Sequence, residues 1–140
     1  MGMNNFFDSV DLLHRALDVQ NLRYQVSANN IAMSEVPNYK KQYVNFESEL
    51  KRAFDSQNIQ SDFHMNATLP GHFTSEPARD WHDVEPRRVT DWATTANANG
   101  NNVDAEQEAM TIAQIQMQYQ LLTRLENFQF SQVDIAMKKI

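Results

Sequence analysis

Four histidines, His14, His64, His72 and His82, are the first residues of this 140-residue chain that could bind a metal or move a proton. The last three fall within one stretch that also holds Asp80, Asp83 and Glu85, and imidazole with carboxylate is a donor mix that divalent metals accept. Their separations of 8 and 10 residues match no short ligand pattern, and there is no His-Glu-x-x-His run. They read as solvated loop histidines. Thr74 and Ser75 follow His72, yet no Gly-x-Ser-x-Gly elbow presents a hydroxyl nucleophile. A carboxylate pair drawn from Asp80, Asp83, Glu85 and Asp91, with His72 or His82, would make an acid/base hydrolase, but nothing in the spacing organises those groups. Trp81 and Trp92 flank the same acidic stretch and read as anchors of the loop onto helices rather than as a platform for a sugar or base. Asn66-Ala67-Thr68 has the form of a glycosylation sequon, which carries little weight without a secretory leader. The residues predict no catalytic site, no cofactor and no metal.

Composition narrows the classes further. Cysteine is absent, so thiolate chemistry, zinc knuckles and disulfides are excluded. Only Gly2, Gly71 and Gly100 are glycine, too few and too scattered for a phosphate-cradling loop. Twelve Lys+Arg against 18 Asp+Glu leave a net charge of −6, which predicts no nucleic-acid partner and no anionic membrane surface. No apolar run is long enough for a membrane span, and Met1 to Asp11 lacks the basic and apolar regions of a cleaved leader. Passage out of the cytoplasm would therefore need another export route. The polarity of the chain comes largely from 14 Asn and 12 Gln.

The elements that carry these residues are set by proline. Pro37, Pro70, Pro77 and Pro86 all lie in the middle of the chain, which leaves both flanks free for long helices. In the first flank Met3, Phe6, Val10, Leu13, Leu17, Gln20, Tyr24, Ser27 and Ile31 follow one another at alternating steps of three and four. That heptad seam predicts a helix over 6–34, ending before Pro37. In the other flank Ile112, Ile115, Tyr119, Leu122, Glu126, Gln129, Val133, Ala136 and Ile140 repeat the pattern, and Met117, Leu121, Leu125 and Phe128 widen the stripe. Asp104 with Gln107 forms a capping pair, Glu106 and Glu108 complement the helix dipole, and a helix over 105–138 follows, about 50 Å long. The fold expected is mainly α: an elongated antiparallel hairpin of long N- and C-terminal helices with a small irregular or short β middle segment. A short helix follows Asn45 through Phe46, Leu50, Ala53 and Phe54, and residues 61–91 are expected to hold loops and a short β-hairpin. The run from Thr94 to Asn102 reads as a polar turn-forming linker. The domain reading is one structural domain, with an axial helix at 1–36, turn and irregular middle at 37–103, and a second axial helix at 104–140. A two-helix hairpin leaves half of each wide stripe wet, so a partner or a polymer is expected to cover the rest.

The run Ser27-Ala28-Asn29-Asn30-Ile31-Ala32, continuing through Pro37 and Tyr39-Lys40, resembles the N-terminal motif of bacterial flagellar rod and hook proteins. Gly100-Asn101-Asn102-Val103-Asp104-Ala105-Glu106-Gln107-Glu108, with Met110 and Tyr119 beyond, resembles the opening of that family's terminal helix, in the form most similar to the B-type, cell-proximal rod subunit. Met33, Val36, Asn38 and Ile115 depart from the family's usual residues, and Leu69 to Phe73 is only faintly similar to its middle segment. The resemblance implies a structural, non-enzymatic axial subunit of the basal-body rod, placed in the periplasm and exported unfolded through the flagellar type III apparatus. It implies as partners copies of itself, other rod subunits, and adaptor and membrane-ring components. Assembly contacts are then expected at Leu13, Leu17, Tyr24, Ala28, Asn29, Asn30, Ile31, Pro37, Tyr39, Asn101, Asn102, Asp104, Ile112, Tyr119 and Leu122. The same heptads also fit a cytoplasmic coiled-coil adaptor that binds a regulatory partner.

Overall fold

The structure, a computed structural model, describes residues 2–59, 78–94 and 97–138. His64, His72, Thr74, Ser75, the 66–68 sequon and the 69–73 segment lie outside the described residues. Helix α1 spans Gly2–Ala32, strand β1 Gln42–Asn45, helix α2 Glu47–Ile59, strand β2 Arg87–Thr90 and helix α3 Ala105–Lys138, with a single 3-10 turn at Trp81–Asp83.

Contacts divide the chain into two compact units, Met1–Val44 with Arg88–Ile140, and Asn45–Arg87. In the first, α1 and α3 lie antiparallel. Ser9 Oγ bonds Gln129 Oε1 at 3.1 Å, His14 Nε2 meets the Glu126 carboxylate, and the far end of α1 lies beside Asn101. The bounds of α3 are those the periodicity predicts. Its start is fixed by Asp104, whose Oδ1 accepts the backbone N–H groups of Glu106 at 3.0 Å and Gln107 at 3.2 Å. Along α3, Ile115 is buried and Ile112, Leu122, Glu126, Gln129 and Val133 are half-buried, which follows the predicted seam except at exposed Tyr119 and Ala136.

Helix α1 departs more from its pattern. Gln20 and Ser27 of the seam are buried, but Tyr24 is 42% exposed, while Val19 and Val26, one step off the seam, are buried. Side chains of α1 also reach β1, Arg23 to the Val44 carbonyl and Asn30 to Gln42, and Val26 lines a cleft together with Val44. Helix α1 stops at Ala32, five residues before Pro37, and a turn continues the chain with Met33 N–H on the Asn29 carbonyl at 3.0 Å.

Strands β1 and β2 form a two-stranded antiparallel sheet opened by the Asp91 N–H on the Lys41 carbonyl at 3.0 Å. Among the described residues the β structure is thus a long-range pairing of 42–45 with 87–90 and not a hairpin within 61–91. In the second unit Phe46 and Ala53 are buried, Phe46 accepts the first helical bond of α2 from Leu50, and Trp81 stacks on Phe54 with centroids 6.0 Å apart. Trp81 therefore anchors as expected. Trp92 does not: it is 78% exposed, because Asp91 gathers the Ala93 and Thr94 N–H groups into a tight turn that throws residue 92 outward.

Candidate functional site

The Met33 and Ser34 N–H groups close carbonyls of the last turn of α1, and the turn that follows is fastened by a residue from across the chain. Asn101, fully buried, donates from Nδ2 to the carbonyls of Met33 at 2.9 Å, Ser34 at 2.9 Å and Val36 at 2.8 Å, while its Oδ1 accepts the Val103 N–H at 2.7 Å. Asn102 beside it accepts the Lys41 N–H at 2.6 Å and donates to the Asp91 carbonyl at 2.9 Å and the Thr94 hydroxyl at 3.1 Å. Asn30, on the last turn of α1, completes the set. Its amide accepts from the Gln42 N–H at 3.0 Å and donates to the Gln42 carbonyl at 2.8 Å, taking the place of a neighbouring strand along β1.

Backbone geometry makes this close approach possible. Asn38 (φ 59°) and Gly100 (φ 79°) both occupy the left-handed region, and a Cβ on Gly100 would come within 2.5 Å of Asn38 Oδ1. Asn38 N–H bonds the Asn99 carbonyl at 3.0 Å, and Lys40 Nζ bonds the Gly100 carbonyl at 2.9 Å. Tyr39 folds back to donate to Asn30 Oδ1 at 3.2 Å and to accept from Asn29 at 3.4 Å. Burial pushes the Tyr39 phenol above its usual 10.0, the Asn29 bond opposes this, and Glu108 adds to it. The Thr94 hydroxyl, with the Ala93 and Thr94 N–H groups and nearby Lys41, holds the Asp91 carboxyl below its usual 3.8 despite some desolvation.

Asn29, Asn30, Pro37, Tyr39, Asn101, Asn102 and Asp104 are thus gathered around one junction, whereas Leu13, Leu17 and Leu122 lie along the helix pair, half-buried. Ala28, Ile31 and Ile112 are half-buried near the junction, and Tyr24 and Tyr119 are exposed. Lys40, Gln42, Asp91 and Thr94 also belong to the junction: Gln42 carried no signal in the sequence, Lys40 stands in the motif without being expected as a contact, and Asp91 and Thr94 read there only as a loop acid and the start of a linker. Asn38, which stands where the resembling motif commonly has Gly, carried a signal, since both residues tolerate positive φ.

The junction's chemistry is amide to backbone. A cleft of about 610 Å³ beside it, lined in part by Arg23, Val26, Lys41, Tyr43, Glu108 and Ile115, contains no histidine. Among the described residues no three His, Asp or Glu gather as metal ligands; His82 is paired with Asp80 and His14 with Glu126. No helix among those residues is long and apolar enough to cross a membrane. Outside the α1 contact, α3 exposes a second apolar stripe, with Met117 at 65%, Leu121 at 59% and Phe128 at 60% exposure. The described residues thus form a fastened helix pair with an uncovered apolar stripe, the architecture of a subunit that packs against others.

No protein-family model matches the chain. Curated proteins do. It is 39% identical over 136 residues to the flagellar basal body rod protein FlgB of Borreliella burgdorferi, covering 97% of this chain and 100% of that one. It is 38% identical over 136 residues to the protein of the same name from Borrelia hermsii, with the same coverage. To that of Bacillus subtilis it is 29% identical over 133 residues, covering 92% of both. The chain belongs to the family of the flagellar basal body rod protein FlgB.

Proposed function

We propose that the chain is a structural subunit of the flagellar basal body rod, not an enzyme, and that it assembles with other rod components through its two terminal helices. Kinship over essentially the whole length of the FlgB proteins carries this reading. The fold supports it: α3 presents one stripe to α1 and leaves a second, with Met117, Leu121 and Phe128, exposed. Within that reading, Tyr24 and Tyr119 on the exposed rim are contacts made on assembly. Asn30, Asn101 and Asn102, spent on internal bonds, act by holding the helix ends in the shape that neighbours receive.

Finer assignments follow the same line. Copies of the chain and the next rod protein would cover the α3 stripe, adaptor and membrane-ring components would border the assembly, and the subunit would reach a periplasmic rod through the flagellar export apparatus. Deletion of the gene followed by imaging of purified basal bodies tests the function. The expected result is basal bodies lacking a rod and restored by the full chain; intact rods in the deletion strain, or purified basal bodies without this chain, would overturn it.

A further inference from the structure

The rod reading leaves open how one subunit grips the next, and a feature of the helix pair bears on it. Beside the α1–α3 contact runs a groove of about 520 Å³ whose lining includes Gln20, Tyr24, Ile115, Gln116, Tyr119 and Gln120. Gln20 is 8% exposed, yet its Oε1 meets no donor among the described residues. A buried amide acceptor left unpaired costs about 1–3 kcal/mol, a penalty that an incoming donor would remove. Gln20 itself lines the groove, so a donor packed there approaches that amide directly.

Charge selects the occupant. From Ala109 to Thr123 no residue of α3 is charged, and from Tyr24 to Ser34 none of α1 or the turn after it is, although the chain carries −6 overall. Like-charged copies can approach closely where both contributing surfaces are neutral. The groove is one such surface. The exposed ridge Met110, Gln114, Met117 and Leu121 is another, and its glutamine brings an N–H donor. At about 100° per residue the ridge lies roughly 160° around α3 from the groove residues, so a molecule cannot use both on one neighbour.

We infer that the groove formed by Gln20, Tyr24, Gln116 and Tyr119 receives the Met110–Leu121 ridge of helix α3 from a second copy of this chain. The inference rests on the rod reading and names the partner of its exposed tyrosines. Groove and ridge are different surfaces, so the contact is head-to-tail. Such a contact repeats from copy to copy and generates a ring or an open helix rather than a closed dimer.

The test places the photo-crosslinker p-benzoylphenylalanine at position 119 of the full chain in flagellated cells, with irradiation and mass spectrometry of the adducts. The expected adduct joins position 119 to residues 110–121 of another copy. Met117→Lys, or Gln20→Met, which keeps bulk and removes the acceptor, should lower its yield at least about fivefold, the ratio that corresponds to one net hydrogen bond. Circular-dichroism melts of the purified variants should be no lower than wild type. Adducts to a different axial protein alone, or none, in cells whose basal bodies contain the chain would overturn the groove assignment and leave the rod reading standing. Absence of the chain from basal bodies would overturn both.

Discussion

Asn101 fastens the turn that follows α1 from the far side of the chain. One buried amide nitrogen ties three carbonyls together, and although those of Met33 and Val36 keep the Val36 and Tyr39 N–H groups, Asn101→Ala removes the bond to Ser34 and empties the space of a fully buried side chain. The expected loss is about 2–3 kcal/mol, read as a lower urea midpoint with an unchanged slope. Asn101→Asp should cost more, because it turns a carboxylate toward carbonyl oxygens. Asp91 makes a different kind of contribution, tied to pH. Its folded-state pKa is depressed, first by the Thr94 hydroxyl and then by two backbone N–H groups, so the stability it adds is present above the ordinary 3.8. That contribution is lost as pH falls through the lower, folded value. Acid titration of the melting temperature should show a steeper fall below about pH 4 for wild type than for Asp91→Asn. Equal slopes would mean that the Asp91 turn contributes nothing to acid sensitivity.

Among the elements, α3 was the most legible. A 3/4 repeat unbroken by proline or glycine, opened by an Asp cap and closed by lysine, left little choice of boundary. Asp104→Ala should lower stability by about 1 kcal/mol through loss of the Glu106 and Gln107 bonds, and should reduce amide protection in the first turn by hydrogen exchange. The same periodicity misplaced part of the α1 face, since a seam describes one neighbour and α1 has two: Val26 lines the cleft with Val44, and Tyr24 is left outside. The short β element expected in the middle segment is present, but its first strand lies at 42–45, outside the 61–91 stretch, for a related reason. Four residues show no period of their own, and their stability comes from Asn30 on one side and β2 on the other. Of the junction, the asparagines could be named from their motif, but their inward direction could not, because a side chain that bonds distant backbone leaves no local pattern. Thr94 to Asn102 looked like a linker for the same polarity that makes it a fastening.

At the scale of the molecule, repulsion and adhesion are set against each other. Six net negative charges oppose the approach of copies, while the neutral stretches of α1 and α3 favour it. Added salt screens the first over about 10 Å at 0.1 M and spares the second. Sedimentation of the purified chain should therefore show association rising between about 0.05 and 0.5 M NaCl, and Leu121→Lys should abolish the rise. A chain that dissociates with salt would instead be held by ion pairs. The Asn101 fastening also has a consequence in time. Its partners lie 65 to 68 residues away along the chain, a span whose closure costs several kcal/mol of entropy before any bond is returned. Contacts of such separation form late, so hydrogen-exchange pulse labelling during refolding should find Val103 protected after the middle of α1. A chain entering any passage from its N-terminus therefore keeps the turn after its first helix unfastened until residue 101 has emerged.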